Sequence, residues 1–144
     1  MQIEHSVVIK RPLEDVEAYL TDISNDSEWQ EDVVESAITT AGPIGQGTSG
    51  YEVRSIMGVP MRTEWIVTGY HPGKSYTFGS RKSMIPYEGT VEFASEAGGT
   101  RVNYRFTMRP GGLLALLDPL IAIAFTSRFR QNLENLPLLL ERHS

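Results

Sequence analysis

Residues 111–144 hold the one stretch long and apolar enough to make a major helix. It opens Gly111, Gly112, Leu113, Leu114, Ala115, Leu116, Leu117 and runs on through Phe125 and Phe129 to Leu133, Leu136 and Leu140. The last five large side chains recur at helical spacing and predict one apolar stripe. Arg128, Arg130, Gln131 and Glu134 fall mostly off it. Almost everything earlier reads as short strands. A strand-rich chain that closes with one apolar helix must lay that helix on a sheet face, and the space between the two is the predicted place of function.

Asp118-Pro119 interrupts this stretch with a good N-cap followed by a proline suited to a first helical turn. Two readings follow. A short helix over 113–117 breaks and the main helix starts at Pro119, or one helix runs through and kinks there. Residues 113–125 are apolar nearly all round, which is more than one sheet face can bury. A lid over a pocket, a homodimer contact, a membrane-touching edge and plain packing under loops are all readings of that surplus.

The remaining chain supplies the sheet. Ile3, His5, Val7 and Ile9 alternate with Gln2, Glu4, Ser6 and Lys10, a half-buried strand. Pro12 then opens an amphipathic helix over 12–23, with Leu13, Val16, Leu20 and Ile23 at helical spacing and Glu14, Asp15 and Glu17 in its first turns. Ser24-Asn25-Asp26-Ser27 ends it and caps a second, short helix that carries Trp29. Residues 33–40 are β-branched enough for a strand.

The glycine-rich run over 41–50 leads into another strand. A phosphate cradle needs a helix N-terminus there, so the run reads as a turn between antiparallel strands. Strands over 51–57 and 61–70 form a hairpin around Gly58-Val59-Pro60, and His71-Pro72-Gly73-Lys74 turns the chain into a strand over 75–81. Two further strands, 84–94 and 101–109, alternate cleanly. Tyr87, Gly89, Val91 and Phe93 share one face of the first, and Val102, Tyr104, Phe106 and Met108 one face of the second. One apolar and one wet face mark an antiparallel sheet covered on one side.

Bulk properties narrow the function. A chain of 144 residues fits a single domain over 1–144. It has no cysteine, hence no disulfides or thiolate metal ligands, which suits a cytoplasmic location. The net charge of −5 argues against nucleic acid as a partner. The start of the chain does not read as a secretory leader, and residues 113–125 are too few and too broken to form an integral membrane segment. His5, His71 and His143 are scattered and give no metal signature, and no cofactor is expected.

The order strand, helix, short helix, six strands, long helix resembles the helix-grip fold of the START and Bet v 1-like superfamily, including its polyketide cyclase/dehydrase and lipid-transport group. Ser6-Val7-Val8-Ile9-Lys10-Arg11-Pro12-Leu13-Glu14-Asp15-Val16 is similar to that group's first strand and helix start. Trp29 lies where the group often has a tryptophan. Val67-Thr68-Gly69-Tyr70-His71-Pro72-Gly73-Lys74, Gly98-Gly99-Thr100-Arg101-Val102 and the closing Leu136-Pro137-Leu138-Leu139-Leu140-Glu141 are also similar. Each motif is short, so together they specify the fold far better than the function. The resemblance implies an α+β architecture: a curved antiparallel sheet of about seven strands around a long C-terminal α-helix, with two short helices after the first strand. It also implies a hydrophobic cavity between sheet and helix.

The residues expected to line that cavity are His5, Tyr51, Val53, Ser55, Tyr76, Phe78, Tyr87, Tyr104 and Phe106, with Phe125 and Phe129 from the helix. They make an apolar wall with a few hydroxyls, suited to a hydrophobic small molecule. Both faces of 61–70 carry bulky residues. Trp65 joins the site if Thr63, Trp65 and Val67 point inward; if Glu64, Ile66, Thr68 and Tyr70 do, Glu64 becomes a buried carboxylate and a candidate general base. Arg54, Arg62, Arg101 and Arg105 read either as a head-group patch or, preferably, as ion pairs with partners such as Glu88 and Glu92. The leading expectation is binding or transport of a lipid-like or polyketide-like molecule. The alternative is a polyketide cyclase or dehydratase that uses His5 or a tyrosine as acid/base.

Overall fold

The computed structural model describes residues 2–56, 58–82, 85–109 and 118–142. The elements run β1 (Gln2–Ile9), α1 (Leu13–Thr21), a tight helical turn (Ile23–Asn25), α2 (Asp26–Trp29), β2 (Val33–Ile38), β3 (Ser49–Ile56), β4 (Val59–His71), β5 (Ser75–Lys82), β6 (Tyr87–Glu96), β7 (Gly99–Met108) and α3 (Asp118–Glu141). All neighbouring strands pair antiparallel in one curved seven-stranded sheet, in the order β1-β7-β6-β5-β4-β3-β2. The first strand therefore closes onto the last, and β1 and β2 form the two edges.

The core sits between the concave face and α3. Val7 and Ile9, Val91 and Phe93, and Val102 and Tyr104 meet Val16 and Leu20 of α1, Trp29 of α2, and Leu133, Leu136 and Leu140 of α3. Each fully buried aliphatic side chain contributes about 1.5–3 kcal/mol, so the helical stripe read from the sequence is also the main fastening of α3. Asn132 and Asn135 add polar fastenings. Asn135 Nδ2 donates to the Trp29 carbonyl at 3.0 Å, and the Glu31 amide donates to Asn132 Oδ1 at 3.1 Å.

The start of α1 lies one residue beyond the predicted one. Pro12, at ψ 150°, precedes the helix and its carbonyl accepts from the Asp15 and Val16 amides. α1 also ends at Thr21, two residues before the predicted end, and the Ser24–Ser27 run lies in the tight helical turn and in α2; Asn25, ahead of α2, makes no side-chain cap bond. That single turn is held by the Gln30 amide on the Asp26 carbonyl at 2.9 Å and by its packing against α3.

The β3–β4 hairpin is tighter than the expected turn. Ile56 pairs with Val59, so Val59 and Pro60 belong to β4. Pro60 is tolerated because, among the described residues, β5 pairs with β4 only from Glu64 onward, which leaves that side of Pro60 without a strand to bond.

Two strands correct the expected facing. In β3 the register Gly50↔Trp65 and Glu52↔Thr63 turns Glu52 and Arg54 inward, and therefore Tyr51, Val53 and Ser55 outward. Tyr51 is accommodated outside: Arg62 lies 4.1 Å over its ring, and Tyr51 Oη donates to Glu35 at 2.7 Å. The charged side chains are tolerable inside because they satisfy one another. In β4 a bulge between Val67 and Gly69 shifts the alternation. Trp65 and Val67 are buried before it, and Tyr70 packs on the core after it. Both faces looked bulky because the inner face changes parity at Thr68. Glu64, opposite Tyr51, points out.

On the convex face Arg105 pairs with Glu92 at 3.1 Å, Arg101 with Glu96 at 2.7 Å and Arg109 with Glu88 at 3.2 Å. Arg54, Arg62, Arg101 and Arg105 thus form no common patch. The proposed short helix over 113–117, the choice between a break and a kink before Pro119, and most of the surplus apolar surface lie outside the described residues. Of that surface, Leu120 and Ile123 are described and are 63% and 70% exposed. Among the described residues no helix is long and apolar enough to cross a membrane.

Candidate functional site

The inner faces of β4 to β7 and the first turns of α3 enclose a cavity. It measures about 90 Å³, room for several waters. Met61, Thr63 and Trp65 come from β4, Tyr76 and Phe78 from β5, Tyr87 from β6, Tyr104, Phe106 and Met108 from β7, and Phe125, Arg128, Phe129 and Asn132 from α3. Ile85 lines it from the segment before β6.

Its aromatic wall is a connected set of rings. Phe78 meets Tyr104 edge-on at 6.0 Å, Tyr87 stacks on Phe106 at 5.5 Å, and Phe129 of α3 meets Tyr104 at 5.2 Å. Such pairs add about 0.5–1.5 kcal/mol beyond area burial and fix the wall's shape. Two glycines make room for it. A Cβ at Gly89 would run into the Phe78 ring, and one at Gly50 would strike both the Ala37 carbonyl and the Trp65 ring. Only glycine lets these rings lie flat against the sheet.

The rest of the lining is mostly polar. Asp26, Gln30 and Asp32 come from α2 and the segment after it, and Glu52 and Arg54 from β3. Arg54 Nη1 donates to Asp32 Oδ2 at 2.7 Å, and its Nη2 donates to Gln30 Oε1 at 2.8 Å and Glu52 Oε2 at 3.1 Å. Asn132 Nδ2 donates to the other Asp32 oxygen at 2.8 Å. Burial pushes the Asp32 carboxyl up, but Arg54 and Asn132 outweigh it and hold Asp32 below its ordinary range. Burial likewise opposes the Arg54 charge, yet Glu52 and Asp32 overcome it and raise the guanidinium's pKa.

Asp26 has no such cation. Burial, then the neighbouring Glu52 carboxylate, raise it well above the usual carboxylate range; Arg54 and the nearby Trp29 indole only partly offset this. Of the two carboxyls, which lie within hydrogen-bonding reach of one another, Asp26 is therefore the one that holds its proton to higher pH. The indole nitrogens of Trp29 and Trp65 are sealed from solvent without a well-formed hydrogen bond. Burial also raises Tyr76, Tyr104 and Tyr87, the last to about 12, with the Thr63 hydroxyl 2.9 Å from Tyr87 Oη.

Of the residues expected at the site, Trp65, Tyr76, Phe78, Tyr87, Tyr104, Phe106, Phe125 and Phe129 line the cavity together. Tyr51 is outside, for the register reason above. His5 is on the inner face of β1, opposite Tyr104, but its Nε2 meets Glu134 Oε1 at 2.9 Å under the outer flank of α3, away from the cavity. Sequence reasoning missed Asp26, Asp32, Glu52 and Arg54 as cavity residues because an alternating strand reading sends charged residues outward. Among the described residues no three His, Asp or Glu side chains are placed to hold a metal ion.

Residues 1–141 match the family described as polyketide cyclase/dehydrase and lipid transport. Among solved structures, TTHA0849 from Thermus thermophilus superposes with a TM-score of 0.87 at 21% identity, covering 100% of this chain and 99% of that one. A START superfamily protein from Mycobacterium smegmatis gives 0.67 at 13% identity, over 94% and 98% of the two chains. The di-domain ARO/CYC BexL of the BE-7585A biosynthetic pathway gives 0.69 at 16%, over 93% of this chain and 48% of BexL. At these identities the structures establish the helix-grip fold. No curated protein matches the chain.

Proposed function

The chain belongs to the polyketide cyclase/dehydrase and lipid transport family, and we propose that it binds one largely apolar small molecule in the cavity between sheet and α3. The observation that carries this reading is the unfilled space itself. Close-packed interiors rarely leave room for several waters beside so many aromatic rings, and an aromatic wall with a few convergent polar groups is the usual make-up of a ligand site. Half-exposed Arg128 and half-buried Phe125 support a mouth along the first turns of α3. A ligand larger than the present cavity would extend there, past exposed Leu120 and Ile123.

A lipid-like or polyketide-like ligand suits the wall. Cyclase or dehydratase chemistry is the second reading, favoured by the buried Asp26 carboxyl in the cavity lining, whose pKa burial and Glu52 raise. Native mass spectrometry of freshly purified protein and titration with an environment-sensitive apolar dye test the binding reading. A co-purifying apolar molecule, or saturable one-to-one dye binding that Phe129→Arg abolishes in a folded protein, is expected. Folded protein with neither a bound molecule nor saturable dye binding would overturn it.

A further inference from the structure

Tyr104 of β7 is 9% exposed and lines the cavity. Its ring is held from three sides. Phe129 of α3 meets it edge-on at 5.2 Å, Phe78 of β5 edge-on at 6.0 Å, and Trp29 of α2 lies at 6.3 Å. Val91 of β6 and His5 of β1 flank it along the sheet. Close packing of this kind holds one rotamer, so the hydroxyl has a fixed place.

That hydroxyl is left over. Among the described residues nothing hydrogen-bonds it, and its oxygen is not sealed off by neighbouring atoms, so it opens onto the cavity. The other hydroxyls of the described lining are already bonded. Tyr76 donates to the Leu20 carbonyl, and the Tyr87 and Thr63 hydroxyls meet at 2.9 Å. Arg54 is likewise taken up by Asp32, Gln30 and Glu52.

We propose that the Tyr104 hydroxyl is the polar anchor of the cavity, donating one hydrogen bond to a carbonyl oxygen of an otherwise apolar ligand. The proposal rests on the reading that the cavity takes an apolar molecule, and names the polar group that molecule brings. A phenol hydroxyl can donate and accept. Its oxygen lone pairs are drawn into the ring, so donation is the stronger role and the partner is an acceptor. A neutral acceptor is selected because the Asp26 and Glu52 carboxyls line the same cavity and disfavour an anion beside them. A buried donor without an acceptor costs free energy, which a carbonyl oxygen recovers on binding. A donor already fixed in place loses little entropy in doing so.

The test uses three probes of similar shape on the intact chain: cyclohexanone, methylenecyclohexane, in which a methylene replaces the carbonyl oxygen, and cyclohexylamine. Each competes with the environment-sensitive apolar dye, on wild type and on Tyr104→Phe, which removes the hydroxyl and keeps the ring. The ketone-to-hydrocarbon affinity ratio is expected to fall about fivefold in Tyr104→Phe, the effect of one net hydrogen bond. Comparing ratios cancels the different hydration of the two probes. The infrared carbonyl stretch of bound, isotope-labelled cyclohexanone should lie at lower frequency in wild type than in the variant. Because the hydroxyl bonds nothing in the fold, Tyr104→Phe should unfold at the wild-type midpoint or above it, whereas Tyr87→Phe, which takes a partner from Thr63, should unfold below it.

A ratio and a carbonyl stretch that Tyr104→Phe leaves unchanged overturn the anchor. So does a midpoint lowered as far as in Tyr87→Phe, which would give the hydroxyl to the fold. Cyclohexylamine bound more tightly than the ketone overturns it in favour of the carboxylates. A ketone that fails to displace saturably bound dye overturns the anchor and leaves the cavity reading standing, while the absence of saturable dye binding overturns both.

Discussion

Arg54 Nη1 lies 2.7 Å from Asp32 Oδ2 and so ties the inner face of β3 to the segment that follows α2. Glu52 is 3.1 Å from the same guanidinium, and Asn132 carries the link on to α3. One cation thus organises the polar part of the cavity lining, with side chains of Asp32 and Glu52 only 11% and 10% exposed around it.

Removing that cation strands buried carboxylates. Arg54→Met is expected to lose about 3 kcal/mol at pH 7, the usual cost of breaking one side of a buried pair. Asp32 sits below its ordinary range in the native protein, so it contributes stability above the unfolded carboxylate pKa and loses it as pH falls through the lowered value. Without Arg54, burial is opposed only by the Asn132 amide and a backbone hydrogen bond, so the Asp32 pKa rises from its native value. The gap between variant and wild type should therefore shrink on acidification from pH 7 to pH 4. Urea unfolding at the two pH values measures it, and a gap that widens on acidification would contradict the assignment.

Asp26 carries the opposite sign. Its pKa is raised in the folded state, so the native protein holds a proton that the unfolded chain releases. Stability from this group is present at low pH and is lost as pH rises from the ordinary carboxylate range to the raised value. The slope is at most about 1.4 kcal/mol per pH unit for one proton. Asp26→Asn should flatten this part of the profile and be the more stable form at the alkaline end, as read from denaturation midpoints across pH 5 to 9.

The cavity's glycines rank by what an added methyl would meet. At Gly89 the obstacle is the Phe78 ring, which can turn at some cost; at Gly50 it includes the Ala37 carbonyl, which is held in the sheet. Gly89→Ala should lose about 1–3 kcal/mol, the range for overpacking, and reduce dye binding as Phe78 is pushed into the cavity. Gly50→Ala should lose more. Thermal unfolding midpoints give the order, and a reversed order would show that the β2–β3 edge yields more easily than the ring.

How much of this was legible followed from where polarity and position agree. β6 and β7 keep one apolar and one wet face along their length, so Tyr87, Tyr104 and Phe106 could be assigned inward from alternation alone. The stripe from Phe125 to Leu140 was legible for the same reason, at helical period. In β3 the rule inverts: Glu52 and Arg54 enter the cavity because Asp32, Gln30 and Asn132 wait there to satisfy them, and no local pattern announces partners so far along the chain. In β4 the bulge at Thr68 changes parity mid-strand, so no one alternation fits both Trp65 and Tyr70. The single sequence hint of the polar part was that Glu52 and Arg54 share one face of a strand flanked on both sides by other strands.

His5 separates the fold's edge from its site. It shares a sheet face with Tyr104, its register partner, and that was the ground for expecting it in the cavity. Yet β1 is an edge strand, and the outer flank of α3 covers His5 through Glu134, with side chains 26% and 62% exposed. An ion pair so open to solvent contributes up to about 1 kcal/mol. His5→Ala should therefore leave dye affinity within about twofold of wild type and shift unfolding by less than about 1 kcal/mol. Phe129→Ala is the matched control, because its ring meets Tyr104 at 5.2 Å and closes the cavity from the helix side. Losing a half-buried aromatic should lower stability by about 2 kcal/mol and change dye affinity severalfold. A tenfold loss of binding in His5→Ala, with Phe129→Ala unaffected, would move the site to the β1 edge and exclude its placement between the aromatic wall and α3.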